Sequence, residues 1–177
     1  TTLSRLLFPE KPYVNLENLD ERSVATADPR GFLKNYPKGA ILDEIQRVPE
    51  LVSYIQGIVD EKNTPGMFIL TGSQQLEISA STSQSLAGRT AIVKLLPLSL
   101  RELKSLGSIP HLNNLLIKGF YPGLHTKHMS PNDFYGSYFE TYVERDVRQL
   151  SQIENLHIFE KFVQLLAGRV GSLLNYN

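Results

Sequence analysis

The run Gly39-Ala40-Ile41-Leu42 ends on two carboxylates, Asp43 and Glu44. This pattern predicts a buried parallel strand that delivers both acids to the C-terminal edge of a sheet, where open α/β sheets bind ligands. Two adjacent carboxylates at such an edge suit phosphoryl transfer from a nucleoside triphosphate. One belongs in the shell of a Mg²⁺ ion, and the other lies beside the attacking water, which it orients or deprotonates. The plainer alternative is a solvated strand end, where an Asp-Glu pair is common.

A second group follows the next apolar run. Thr71-Gly72-Ser73-Gln74 stands directly after Met67-Phe68-Ile69-Leu70. If the two runs are neighbouring strands, Thr71 and Ser73 lie beside Asp43 and Glu44, within reach of a γ-phosphate or a water. Taken alone, the segment is also an ordinary strand-to-loop turn with Gly72 supplying positive φ. Arg89, in Ala87-Gly88-Arg89, offers a guanidinium to phosphate oxygens or to a neighbouring subunit, with a surface salt bridge as the competing reading. Arg145 and Arg148 alternate with Glu144 and Asp146, as on a solvated helix face. His111, His125, His128 and His157 show no metal-ligand pattern. The absence of Cys and of a Gly-x-Ser-x-Gly elbow argues against the common cysteine and serine hydrolases.

The elements that must position these groups follow from periodicity. Leu3, Leu6 and Leu7 fit the end of a helix stopped by Pro9, and Tyr13-Val14-Asn15-Leu16 alternates as a short strand. Residues 19–33 are polar, with Asp28-Pro29-Arg30-Gly31 as a turn and a short helix expected nearby. Pro49 fits a first helical turn, and Leu51, Tyr54, Ile55, Ile58 and Val59 form one apolar helix face. Two apolar runs joined by that helix make a βαβ unit. A short helix is expected near residues 84–87. Ala91-Ile92-Val93-Lys94-Leu95-Leu96 reads as a third strand, and residues 100–106 as a short helix. Further on, Phe134, Tyr138, Tyr142 and Leu150 mark one helical stripe, and Ile158, Phe159, Phe162, Leu165 and Leu166 another.

Composition bounds the function. The chain has 177 residues, 41% of them hydrophobic, with 18 Lys plus Arg against 18 Asp plus Glu. No global charge draws it to nucleic acid or an anionic membrane. Cys-free composition excludes a disulfide framework and a thiolate metal site and is compatible with a reducing cytoplasm. No apolar run approaches the ~20 residues of a membrane helix, and Leu6-Leu7-Phe8 ends at once in Pro9, unlike a signal peptide. A soluble cytoplasmic protein is expected.

In order along the chain, these segments resemble the prokaryotic P-loop ATPases of the AAA-like group, in which the ATPase core precedes a C-terminal domain of unknown function. Leu42-Asp43-Glu44-Ile45-Gln46-Arg47-Val48-Pro49-Glu50 is similar to that family's Walker B segment. Phe68-Ile69-Leu70-Thr71-Gly72-Ser73-Gln74 resembles its sensor strand and Ser85-Leu86-Ala87-Gly88-Arg89 its next signature. Leu95-Leu96-Pro97-Leu98-Ser99, Gly119-Phe120-Tyr121-Pro122, Tyr142-Val143-Glu144-Arg145-Asp146-Val147 and Leu166-Ala167-Gly168-Arg169 extend the match.

Thr1-Thr2-Leu3 aligns with the end of the family's phosphate loop, Gly-Lys-Thr-Thr-Leu. The resemblance therefore implies a fragment that starts just after the Walker A lysine, with the first strand and phosphate loop upstream and the C-terminal domain incomplete. The expected fold is α/β: a P-loop-type parallel sheet flanked by helices over residues 1–107, then a mostly helical segment over 108–177. The implied activity is ATP binding and Mg²⁺-dependent hydrolysis by the parent protein, whether or not this piece alone is an enzyme. Thr1, Thr2, Asp43 and Thr71 are implied to bind nucleotide, Thr1 and Asp43 to hold Mg²⁺, and Glu44, Ser73 and Arg89 to act in catalysis. Implied partners are ATP and a homo-oligomer or protein client. A non-enzymatic nucleotide-dependent switch or scaffold is one alternative. A DNA-associated ATPase is another, for which neutral charge gives no support.

Overall fold

Three short strands pair side by side, all parallel, in chain order: β1 (Tyr13–Asn15), β2 (Ile41–Asp43) and β3 (Ile69–Leu70). Ile41 faces Tyr13 on one side and Ile69 on the other, so Asp43 closes the central strand opposite Asn15. The computed structural model describes residues 1–72, 88–107, 109–127, 129–142 and 155–173. These fall in two compact units, Thr1–Val93 and Lys94–Asn177.

In the first unit, parallel pairing requires crossovers, and helices supply them. Between β1 and β2 run α2 (Leu19–Ala27) and α3 (Pro29–Lys34). The Asn18 side chain caps α2, and Asp28 ends α2 while its carboxylate caps α3 at Gly31 N. Between β2 and β3 runs α4 (Leu51–Lys62), ended by Asn63 in the left-handed conformation. Pro49 stands two residues before that helix rather than in its first turn, because residues 45–47 first form a 3₁₀ turn.

Alternation divides the sheet into two faces. Val14, Leu16, Ala40 and Leu42 join Phe32, Leu33, Ile45, Val48, Leu51, Val52 and Ile55 in one core, with Ile58 and Val59 packed at its margin. Tyr54, expected on the buried face of α4, is 38% exposed, and Val52 takes the interior position instead. Tyr13, Ile41 and Asp43 belong to the opposite face, toward which α1 (Thr2–Leu7) sends Arg5. At the far edge of the sheet Gly39 has φ +86°, and a Cβ there would fall 1.9 Å from the carbonyl oxygen of Met67. Only glycine permits that approach.

The expected third strand does not form. Residues 91–96 are irregular, with Ile92, Val93, Leu95 and Leu96 all exposed. Apolar, β-branched residues favour a strand only when a neighbouring strand pairs with them. Among the described residues none does.

The second unit is helical: α5 (Leu100–Ser105), α6 (Leu112–Lys118), α7 (Pro122–Thr126), α8 (Pro131–Tyr142) and α9 (Leu156–Ala167). Ser99 and Glu102 form a capping box at the start of α5. Tyr121, Phe134, Tyr135 and Tyr138 cluster their rings, and Tyr135 OH donates to the carbonyl of Lys118 at 3.0 Å. Phe134 and Tyr138 of the first stripe lie on α8, while its Leu150 and the short helix near residues 84–87 lie outside the described residues.

Among the described residues no helix is long and apolar enough to cross a membrane.

Candidate functional site

The site is built on the end of β2. Asp43 is 5% exposed, the buried charged residue of the sheet. A carboxylate in such a place needs donors, and three hydroxyls provide them. Thr1 Oγ1 and Tyr13 OH each donate to Oδ2 at 2.7 Å, and Thr71 Oγ1 donates to Oδ1. The donors come from three elements: the residue before α1, the edge strand β1 and the residue after β3.

Each donor arrives for a local reason. Thr1 occupies the N-cap position of α1, yet its side chain makes no capping bond and turns to Asp43 instead. Tyr13 shares the face of Asp43 by strand alternation. Thr71 is fixed by the ladder, its N–H donating to Leu42 O at 3.0 Å and its carbonyl accepting from Ile45 N at 3.1 Å.

Burial by itself pushes the Asp43 carboxyl up, but hydrogen bonds from Thr71, Thr1 and Tyr13 outweigh it and hold the group below its ordinary range. The Tyr13 phenol moves the other way. Burial first, then its bond to the Asp43 carboxylate, pushes it up to about 12. The Arg5 guanidinium lies 4.7 Å from the centre of the Tyr13 ring, a cation–π contact that seats the ring from α1.

Glu44 follows at once and turns away from the strand in the left-handed conformation, φ 57° and ψ 45°. For a residue with a Cβ this conformation is strained by about 1–2 kcal/mol. Such outliers cluster at functional sites. Gln46, in the 3₁₀ turn, donates its amide N–H to Glu44 Oε2. Gly72 is not at positive φ, so the alternative reading of this segment as a turn that needs glycine for its backbone does not hold. Its lack of a side chain serves a contact instead, since a Cβ there would fall 2.5 Å from Gln46 Oε1.

The structure thus brings together Thr1, Asp43 and Thr71, with Glu44 next in chain. Thr2 opens α1 beside Thr1. Ser73 lies outside the described residues. Arg89 is engaged elsewhere: its Nε donates to Asp60 Oδ1 at 2.5 Å. Asp60 sits nine residues into α4, which runs back from the Asp43 edge, so it is roughly 14 Å along the helix from Leu51. Tyr13 is the site residue that pattern reading missed, because a tyrosine at a strand position counts as one more apolar side chain.

The donor set is all oxygen, carboxylate plus hydroxyl, which suits a hard cation such as Mg²⁺. Among the described residues no group of three His, Cys, Asp or Glu could hold a metal by itself. Mg²⁺ is ordinarily bound through one or two carboxylates together with substrate phosphates and water, so one buried Asp beside a threonine hydroxyl fits that habit.

A small parallel sheet with helical crossovers, followed by a helical part, defines a chain of the α/β class. Residues 1–104 match the AAA domain family, and residues 109–177 match a domain of unknown function, DUF8612. The chain belongs to the AAA domain family, a group of AAA-like nucleotide-binding ATPases. It is similar to the uncharacterized protein Mb2031c of Mycobacterium bovis, 29% identical over 153 residues, covering 85% of this chain and 34% of that protein. It is equally similar to the uncharacterized protein Rv2008c of Mycobacterium tuberculosis, at the same identity and coverage. The chain therefore spans about a third of the length of the curated relatives it matches. No solved structure matches it.

Proposed function

We propose that the Asp43 edge is the Mg²⁺–ATP site of an ATPase and that Glu44 is its catalytic base. The observation that carries this reading is the convergence of Thr1, Tyr13 and Thr71 on the buried Asp43 carboxylate. Ionised and held by hydroxyls, Asp43 is kept ready to bind a cation at neutral pH. Thr1 would share that cation through its hydroxyl, with Thr2 beside it on the phosphate side. Mg²⁺, when bound, supplies charge neutralisation for the phosphates.

Thr71, and Ser73 two residues on, would meet the terminal phosphate from the β3 side. Glu44 would accept the proton of the attacking water as the terminal phosphoryl group passes to water and ADP departs. Arg89 enters as a phosphate or inter-subunit contact only after leaving Asp60. The domain division at about residue 107, the upstream phosphate loop, and an oligomer or client protein belong to the same proposal.

Turnover by Glu44→Gln in the full-length protein tests it. Losing a base affects the transition state more than the ground state, so ATP affinity should stay near the parental value while hydrolysis slows about a hundredfold or more. Hydrolysis at the parental rate would leave Glu44 a solvated strand-end carboxylate.

A further inference from the structure

Gln46 makes a contact that strand-end geometry does not require. It lies in the 3₁₀ turn Ile45–Arg47, and its Nε2 donates to Glu44 Oε2. Its other amide atom, Oε1, is buried and has no hydrogen-bond partner among the described residues. Buried polar atoms are almost always satisfied, so an exception calls for a reason. Turning the amide over would set Oε1 against the Glu44 carboxylate, acceptor against acceptor. The orientation is therefore dictated by Glu44, and an Oε1 without a partner among the described residues follows from it.

The opposite side of the amide is closed by Gly72. A Cβ there would fall 2.5 Å from Oε1 and 3.3 Å from the amide carbon. Gly72 has no conformational need to be glycine, since its φ is not positive. The turn itself is tied to the same segment, because Ile45 N donates to Thr71 O. Gln46 thus stands between the residue after Thr71 and the carboxylate of Glu44.

We propose that Gln46 is the positioning residue for Glu44, seated against Gly72 and holding the Glu44 carboxylate in the orientation from which it takes the proton of the attacking water. The proposal rests on the reading of Glu44 as base. It assigns Gln46 no contact with nucleotide or water; its effect passes through Glu44 alone. Because its seat is the β3 end, Gln46 also links the segment that would meet the terminal phosphate to the group that would take the proton.

The test uses the full-length protein with Mg–ATP, measuring turnover and equilibrium ATP affinity for Gln46→Ala, Gly72→Ala, Glu44→Gln and the Glu44→Gln/Gln46→Ala pair. Gln46→Ala is expected to lower kcat by about tenfold or more, since misplaced catalytic groups lose rate steeply, with ATP affinity within about twofold of the parent. Gly72→Ala, which pushes the amide off its seat from the other side, should do the same. In the Glu44→Gln background, Gln46→Ala should add no further loss, because groups acting as a unit are not additive. Parental turnover by Gln46→Ala while Glu44→Gln is inactive overturns this inference alone. So does a further loss in the double variant, or a fall in affinity matching the fall in kcat. Parental turnover by Glu44→Gln instead overturns the base assignment, and this inference with it.

Discussion

The Tyr13 hydroxyl, on the edge strand, donates to Oδ2 of Asp43 at the end of the central strand, at 2.7 Å. The pair ties the side chains of two adjacent parallel strands on the face opposite the main core. Burial first, and then this bond, push the phenol up to about 12, while the bonds from Thr71, Thr1 and Tyr13 hold the carboxyl low against its burial.

At high pH this relationship should be visible in stability. The unfolded phenol titrates near 10.0 and the folded one near 12. Between those values the unfolded chain has lost a proton that the folded chain keeps, so stability falls as pH rises. Tyr13→Phe should flatten that part of the alkaline slope. Urea unfolding from pH 9 to 12 measures it, and an unchanged slope would show that the phenol titrates normally.

At low pH the sign reverses. The folded Asp43 carboxyl lies below its ordinary 3.8, so its contribution is present above that value and is lost as pH falls through the folded value. Asp43→Asn should remove this acid-side dependence. It should also lower stability near neutrality by about 1–3 kcal/mol, because an amide cannot accept at both positions from three hydroxyl donors. Acid titrations followed by circular dichroism compare the two proteins.

Glu44 is strained where it stands. Glu44→Gly relieves the left-handed backbone, by about 1–2 kcal/mol, and loses a hydrogen bond worth about 0.5–1.5 kcal/mol. The variant should unfold at a urea midpoint no lower than the parent's. A loss above roughly 1 kcal/mol would mean that the contacts of Glu44 outweigh its strain.

Gly39→Ala should be far more damaging. Its Cβ would meet the Met67 carbonyl at 1.9 Å in a residue with φ +86°, and both strain terms act on the chain entering β2. A loss of about 3 kcal/mol or more is expected. Thermal unfolding gives the answer, and a small shift would show that the loop before β2 can move away from β3.

Much of this was legible in the residues. The apolar runs ending at Leu42 and Leu70 predict two neighbouring parallel strands, and the register puts Thr71 beside Asp43. The face of α4 was legible in Leu51 and Ile55 but not in Tyr54, whose amphipathic ring can leave the core at its edge. Residues 91–96 carry a strand composition without a partner strand, and pairing is a tertiary fact that composition does not contain. Tyr13 was illegible for a related reason: its hydroxyl acts across strands. The role of Gly72 was not legible, because a glycine after a strand also suits a turn, whereas here it makes room for a neighbouring amide.

Magnesium-dependent ATP binding tests the central claim most directly. Calorimetric titration of ATP into the full-length protein, with and without Mg²⁺, should show tighter binding with the cation. Asp43→Asn should lose that gain while remaining folded. Equal Mg²⁺ enhancement in Asp43→Asn and the parent would contradict the account, because the carboxylate on which Thr1, Tyr13 and Thr71 converge would then have no part in holding the metal.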